Sequence, residues 1–334
     1  MSSNSVATSR GRRFQNSEPS EVISLRGTGP ILVEFVKGMK TGLPAADIPL
    51  SSPDLPDTPA DLAVTWLGHA TALIELDGHR ILVDPIWSER CSPSHLVGPA
   101  RLHPMPMAIE ELPEVDVIVI SHDHYDHLDK QTILDLARLQ EAPFFVPIGV
   151  GSHLRRWGVP SDRIEELDWN QAEQVAGLTV TCTEARHFSG RGLVRNTTLW
   201  ASWAFAGMTH KVFFGGDSGF TQRFSDTGRT LGPFDLTLLP IGAYDGRWPD
   251  IHMNPEEAVA VHALLCGSPQ AGMLIPIHWA TFNLAFHRYT EPVERLLAAA
   301  EKVGTSVRVP LPGQRTDLSD TWDQKVWWDG LSRP

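Results

Sequence analysis

The stretch that most constrains this chain runs from Val115 to Asp129. Val115-Asp-Val-Ile-Val-Ile120 is apolar and β-branched, the composition of a strand buried in a sheet. Directly after it comes Ser121-His-Asp-His-Tyr-Asp-His-Leu-Asp129, where His122, His124, Asp126 and His127 put four potential metal ligands into six positions. Imidazoles and carboxylates at that density repel when like-charged and hydrate well when left alone. A metal ion is what makes gathering them favourable. In extended or turning backbone, residues i and i+2 point to the same side, so His122 and His124 can grip one ion together. Asp126 and His127, past the turn, can face a second. The competing reading is a polar loop whose histidines cap backbone groups. It loses weight because more ligand-type residues follow later strands.

That recurrence organises the rest of the chain. Residues 178–183 alternate as a strand and lead into Glu184-Ala-Arg-His187. Residues 211–214 form a strand running into Gly215-Gly-Asp-Ser-Gly219, which places Asp217, and residues 273–277 end at His278-Trp279. Upstream, 63–67, 71–76 and 79–84 read as three consecutive strands, with Asp77-Gly78 as a hairpin turn and Asp84 at the last strand's end. Further strands are expected over 144–146, 199–206 and 235–239. Helices are expected over 130–140, 151–157 and 290–303. Another opens at Asn254-Pro-Glu-Glu, where Asn caps, Pro suits the first turn and the acids meet the positive helix end. Residues 85–104 lack a clean period and read as a long loop, a type that usually serves function. Strands running in one direction would bring the ligand-bearing ends to one edge of a sheet pair. The expected class is α/β (α+β), a β-rich core with helices packed outside.

Composition bounds the partners. The 334 residues allow one large domain or two. A formal net charge of −12 disfavours broad contact with nucleic acid or anionic membrane. Cys91, Cys182 and Cys266 form no Cys-x-x-Cys pair, so neither a disulfide framework nor a cysteine zinc site is indicated. That usage fits a reducing cytosol, and the expected localisation is cytoplasmic. No run approaches the eighteen or so apolar residues of a membrane span. Arg10, Arg12 and Arg13 suggest a twin-arginine signal, but the apolar run at 31–36 is short and broken by Glu34, so no signal peptide is expected. Residues 1–20, rich in Ser, Asn, Arg and Gly, read as a mobile tail. Residues 21–60, with a Pro-rich run at 51–59, read as an arm packing on the core, and 61–334 as the main domain.

With His187, Asp217 and His278 set beside residues 122–127, the chain resembles the metallo-β-lactamase superfamily of dinuclear metal hydrolases. Counterparts of all five motifs of that family are present, over about residues 60–310: Asp84, then His122-x-His124-x-Asp126-His127, then His187, Asp217 and His278. The resemblance implies a four-layer αββα sandwich. It also implies that His122, His124 and His187 hold one metal ion, that Asp126, His127 and His278 hold the other, and that Asp217 bridges them. Two Zn2+ per chain are expected, with Mn2+ or Fe2+ as alternatives, because all-His/Asp ligation does not fix the metal. Asp84 is expected to orient a ligand histidine. His69 is left between bracing the site and touching substrate, and His252 is expected in the pocket as an acid or phosphate contact. Trp87, Tyr244, Trp248 and Trp279 are candidate lining of a substrate channel, although each aromatic alone reads first as packing. His79, His95, His103, His153, His210, His262 and His287 lack a ligand context.

A narrower resemblance is carried by Trp66-Leu-Gly-His-Ala-Thr71, by 120–129, by His252-Met-Asn-Pro-Glu-Glu-Ala258 and by Pro276-Ile-His-Trp-Ala-Thr281. These look like the N-acylphosphatidylethanolamine-hydrolysing phospholipase D branch and its bacterial relatives, as does Arg13-Phe-Gln-Asn16. The expected enzyme is a metal-dependent phosphoric diester hydrolase. Two metal ions roughly 3.5–4 Å apart would share a hydroxide made available near neutral pH, and Asp126, Asp217 and His252 are the catalytic candidates. The alternatives are a hydrolase of a soluble lactone or sugar-phosphate lactone, and a non-catalytic metal-binding scaffold. Partners are expected to be a small molecule or lipid, without nucleic acid and without a transmembrane segment. Transient membrane contact at the periphery and a homodimer both remain open.

Overall fold

The computed structural model describes residues 13–21, 41–94 and 96–333. Six strands come first: β1 (Leu62–Gly68), β2 (Thr71–Leu76), β3 (His79–Val83), β4 (Val117–Val119), β5 (Phe144–Pro147) and β6 (Ile164–Leu167). They lie side by side in sequence order. The next six form a second sheet: β7 (Ala172–Val175), β8 (Leu178–Thr183), β9 (Ser202–Ala206), β10 (Lys211–Phe214), β11 (Leu236–Pro240) and β12 (Met273–Ile277). A last strand, β13 (Arg315–Asp317), returns to the first sheet beside β1.

Strand direction decides where the ligand-bearing ends go. In the first sheet β1, β2 and β3 are antiparallel neighbours, while β3 through β6 are parallel, so β1, β3 and β4 point the same way. In the second sheet β8, β9 and β10 alternate and β10 through β12 are parallel, so β8, β10, β11 and β12 share a direction. Asp84, His122, His187, Asp217 and His278 each follow one of these co-directed strands.

The pleat sorts side chains between two cores. Trp66, Ile74, Val83, Val119 and Phe145 of the first sheet pack with Val180, Trp203, Phe205 and Phe214 of the second. Leu67, Leu73, Ile118, Ile120 and Phe144 form a separate cluster under α1 (Lys130–Leu139) and α2 (Gly151–Trp157), through Ile133, Leu136 and Leu154. The far side of the second sheet is covered by α3 (Arg223–Thr230), α4 (Pro255–Cys266) and α5 (Glu291–Val303), whose Phe224, Val259, Val261 and Val293 join the larger core. The layering is therefore helices, sheet, sheet, helices. Each fully buried aliphatic or aromatic side chain contributes about 1.5–3 kcal/mol relative to exposure, so the sheet pair is a stiff platform. Asn254 caps α4 as its sequence predicts: its side chain accepts from the Glu257 N–H at 2.9 Å, and Glu257 returns a bond to the Asn254 N–H.

Residues 13–20 depart from the tail expected of residues 1–20. The Phe14 N–H donates to Asn196 O at 2.8 Å, Thr221 donates to Glu18 at 2.8 Å, and Ser17 bonds Glu184. Polar composition suggested solvation, but these polar groups are spent on the core. Residues 1–12 lie outside the described residues, as do residues 22–40 of the expected arm. Residues 41–60 touch the core through Ser51 N–H to Pro312 O and Ala60 N–H to Glu75. No helix among the described residues is long and apolar enough to cross a membrane.

Candidate metal centre

The turn after β4 exposes His122 and His124 to one side. His122 Nε2 lies 2.8 Å from His124 Nδ1, and His187, delivered by the end of β8, brings its Nε2 to 3.3 Å from the same His124 atom. His127 and His278 form a second group with Asp126: Asp126 Oδ2 is 3.5 Å from His127 Nε2 and 3.4 Å from His278 Nε2. Asp217 stands between the groups. Its Oδ2 is 3.9 Å from His122, 3.7 Å from His187 and 3.2 Å from His127, while Oδ1 is 3.1 Å from His278. The seven residues read as ligands thus converge, in overlapping sets: His122 also lies with His127 and Asp217, and His187 with Asp217 and His252.

Local backbone makes this convergence feasible. Gly216 has φ +54°, and a Cβ there would fall 2.6 Å from the Ser121 Cβ, so only glycine lets the end of β10 come against the end of β4. Asp84, His69 and His278 also take positive φ, at 38°, 52° and 61°. Non-glycine residues hold that conformation only where surrounding bonds enforce it. Here the Asp84 N–H donates to Val119 O and the His278 N–H donates to His69 O, both at 2.9 Å.

Other groups fix the imidazole orientations. Asp84 accepts from His127 Nδ1 at 2.6 Å and from the Ser121 N–H and hydroxyl, each at 2.6 Å, which turns His127 Nε2 inward. The Ser121 hydroxyl also lies 2.9 Å from His122 Nδ1. His187 donates Nδ1–H to the Ile251 carbonyl at 2.8 Å. His69 Nε2 is 3.1 Å from Asp126 Oδ2, and its backbone N–H donates to the Thr281 hydroxyl, which also meets His103 Nε2. His69 is therefore a brace in this structure, 1% exposed.

Charge divides the two groups. Burial, reinforced by neighbouring imidazoles, pushes His122 well below the usual imidazole range, and burial does the same to His187. Both are neutral and offer lone pairs. For His127 burial pulls downward but is overcome by Asp217, Asp126 and Asp84, which hold its pKa well above the usual range. His278 is likewise raised to about 9, with burial outweighed by Asp217 and Asp126. The carboxylates of Asp126 and Asp217 are held well below their usual range; burial, which opposes this, is overcome by the imidazoles. Protons on His127 and His278 thus stand where positive charge is demanded.

The donors fit divalent cations. His127 Nε2, His278 Nε2 and Asp217 Oδ1 are buried with no hydrogen-bond partner among the described residues, an arrangement that costs free energy unless something else satisfies them. His122, His124 and His187 offer three ring nitrogens mutually within 4.8 Å, and His69, Asp126, His127 and His278 form another such set.

The remaining candidates fall into place around this core. His252 puts Nδ1, also unpartnered, 3.8 Å from Asp217 Oδ2 and lines a cleft of about 430 Å³ with Tyr244, Asp245, His287 and Arg295. Its pKa is pushed down to about 4, by burial first, so the ring is neutral. Trp279, which read first as packing, is 2% exposed, stacked on Trp66 at 5.9 Å and tilted against Trp327 at 5.2 Å. Trp87 donates to Met107 O and Trp248 to Ala243 O. His79, His153, His210 and His262 bond Asp116, Asp123, Asp77 and Thr237 respectively, and His95 lies outside the described residues. Sequence reasoning passed over Ser121, Thr281 and the Ile251 carbonyl. Only Ser121, adjoining the ligand run, offered any sequence signal.

Comparison with known proteins places the chain in a family. Residues 79–279 match the model of a family described as the beta-lactamase superfamily domain. An uncharacterised protein of Mycobacterium tuberculosis is 58% identical over 96% of this chain and 86% of its own. A Caenorhabditis elegans protein named N-acyl-phosphatidylethanolamine-hydrolyzing phospholipase D 1 is 40% identical over 70% of this chain and 68% of its own. Among solved structures, a metallo hydrolase of the archaeon Ignicoccus hospitalis superposes with a TM-score of 0.58 at 22% identity, covering 76% of this chain and 97% of that one.

Proposed function

Because this chain belongs to the metallo-β-lactamase superfamily of hydrolases, we propose that it is a dinuclear zinc phosphodiesterase of phospholipase D type, acting on N-acylphosphatidylethanolamine-like lipids. The observation that carries the reading is Asp217, one buried carboxylate shared by two separate donor groups. His122, His124 and His187 would hold one ion, Asp126, His127 and His278 the other, and Asp217 both. When bound, such ions supply Lewis acidity: they neutralise phosphoryl charge and lower the pKa of water.

The chain's own groups then have distinct tasks. In the reaction a water oxygen bonds to phosphorus, the bond from phosphorus to the head-group oxygen breaks, and that oxygen leaves with a proton. The products are a phosphatidate and an N-acylethanolamine. Asp126, kept ionised by the imidazoles around it, would take the water's proton. His252, a neutral ring facing Asp217 from the cleft wall, would donate an N–H to a phosphoryl oxygen.

Two spaces of mixed polar and apolar lining adjoin the loops of the site. The cleft behind His252 is the smaller, with Tyr244, Pro249 and Phe286 beside Asp245, Glu257 and Arg295. Beside Tyr125 opens a larger groove of about 690 Å³, where Leu134, Trp157, Leu193 and Val194 adjoin Arg156 and Arg191. The mixed lining of both suits a substrate with polar and apolar parts. The C. elegans relative's name points to the same substrate class.

The test is phosphatidate release from N-acylphosphatidylethanolamine in detergent micelles by zinc-loaded protein. Asp217→Ala is expected to lower it by roughly 10²–10⁴-fold, the range for loss of a positioned catalytic group. A fully loaded parent that releases no phosphatidate from any lipid diester would sink the lipid reading. If the same protein opened a soluble lactone, the alternative hydrolase would take its place.

A further inference from the structure

We propose that Asn16 is a positioning residue for His187, and that residues 14–21 form a brace belonging to the metal centre. The proposal rests on the dinuclear reading above. Asn16 Oδ1 accepts from the His187 backbone N–H at 3.1 Å and from Trp200 Nε1 at 3.0 Å. Its Nδ2 donates to the His187 carbonyl at 2.8 Å and to Ser20 Oγ at 3.0 Å. An amide side chain has two donors and two lone pairs, so the full capacity of Asn16 is used, half of it on the backbone of one residue.

That residue is a ligand whose ring is also fixed. With the backbone clasped on both polar groups and Nδ1 tied to the Ile251 carbonyl, the His187 ring has little freedom, and Nε2 aims at the other donors. The brace holds the Ile251 loop as well. The Glu21 N–H donates to Asp250 Oδ2 at 2.9 Å, and Asp250 Oδ1 pairs with Arg186 at 2.9 Å. Arg186 in turn donates to Ser20 Oγ at 3.1 Å and to the Pro19 carbonyl. One short segment therefore ties the residue before His187 to the residue before Ile251, and the same loop continues into His252. A merely structural asparagine needs no such convergence on a single ligand. Partners outside the ligand set that orient it typically govern about 10–100-fold in metal affinity.

The experiment titrates the full chain, stripped of metal, with Co2+, whose visible spectrum reports ligand geometry. Melting of the metal-free protein is recorded alongside. The parent is expected to take two Co2+. In Asn16→Ala one Co2+ should bind about 10–100-fold more weakly with an altered spectrum, while the other ion and the metal-free melting transition stay close to the parent. Asn16→Asp keeps the acceptor bonds from His187 and Trp200 but cannot donate to the His187 carbonyl, so it should fall between; it also serves if the alanine variant does not fold. Parent-like affinities and spectrum for both ions in these variants would overturn the proposal. Equal loss of both ions with a lowered metal-free melting transition would also overturn it, making Asn16 a general fold residue. A parent that takes fewer than two Co2+ would refute the dinuclear reading itself, and the brace with it.

Discussion

The two donor groups meeting at Asp217 are built by different means. His122, His124 and His187 contain no carboxylate of their own; burial keeps His122 and His187 neutral, and their supports are a hydroxyl, a backbone carbonyl and a distant asparagine. Asp126, His127 and His278 are charged on both sides, and their supports are the Asp84 carboxylate and the His69 ring. The first group is ready for a cation as it stands. The second carries protons, which a cation must displace. Geometry alone would make the two places look alike; protonation separates them.

The largest expected effect follows from that separation. His278 has a pKa of about 9 and His127 lies well above the usual range, so both carry protons throughout the neutral region. Each raised pKa means that cation binding releases a proton, and that affinity falls as pH drops below it. Between pH 8 and pH 6 the second ion should weaken by roughly 10²-fold per displaced proton. The first ion should weaken far less, because the pKa values of His122 and His187 already lie well below 6.5. Calorimetry in buffers of different ionisation enthalpy counts the protons, and equal release at both steps would erase the contrast. Next in size, Asp84→Asn keeps an acceptor for His127 but removes its charge. It should cost the second ion about 10–100-fold in affinity and spare the first; metal analysis after dialysis against a chelator reads this directly. Smallest, His69→Gln should weaken the second ion less than about tenfold, because Asp126 keeps its contacts to His127 and His278. A larger loss than that of Asp84→Asn would reverse the ranking of the supports.

The donors were legible in the sequence, whereas most of what holds them was not. His122 to His127 announce themselves by spacing, and His187, Asp217 and His278 by following apolar strands. A carbonyl such as that of Ile251 has no sequence signature, and Asn16 is joined to His187 by the fold rather than by proximity in the chain. The same divide runs through the architecture. The strands that periodicity missed, β6, β7 and β13, all lie at sheet edges. They are short and lack the apolar run of the buried strands: β6 reads Ile-Glu-Glu-Leu and β13 Arg-Thr-Asp. In β7, three of the four residues, Ala172, Glu173 and Gln174, are exposed. Helix α3 escaped because Phe224 and Thr227 are its only buried side chains.

Gly216 carries a consequence for how this protein can vary. A residue that supplies no side chain sets how closely the ends of β4 and β10 approach, since any Cβ would meet Ser121. Donor residues can be exchanged for other donors with the backbone left in place, so the reaction can drift while the frame persists. Position 216 has no such freedom. Even alanine there would wedge the ends of β4 and β10 apart and lengthen the reach from Asp217 to His122 and His127 at once. The geometry of the donors thus depends on an atom that is not there.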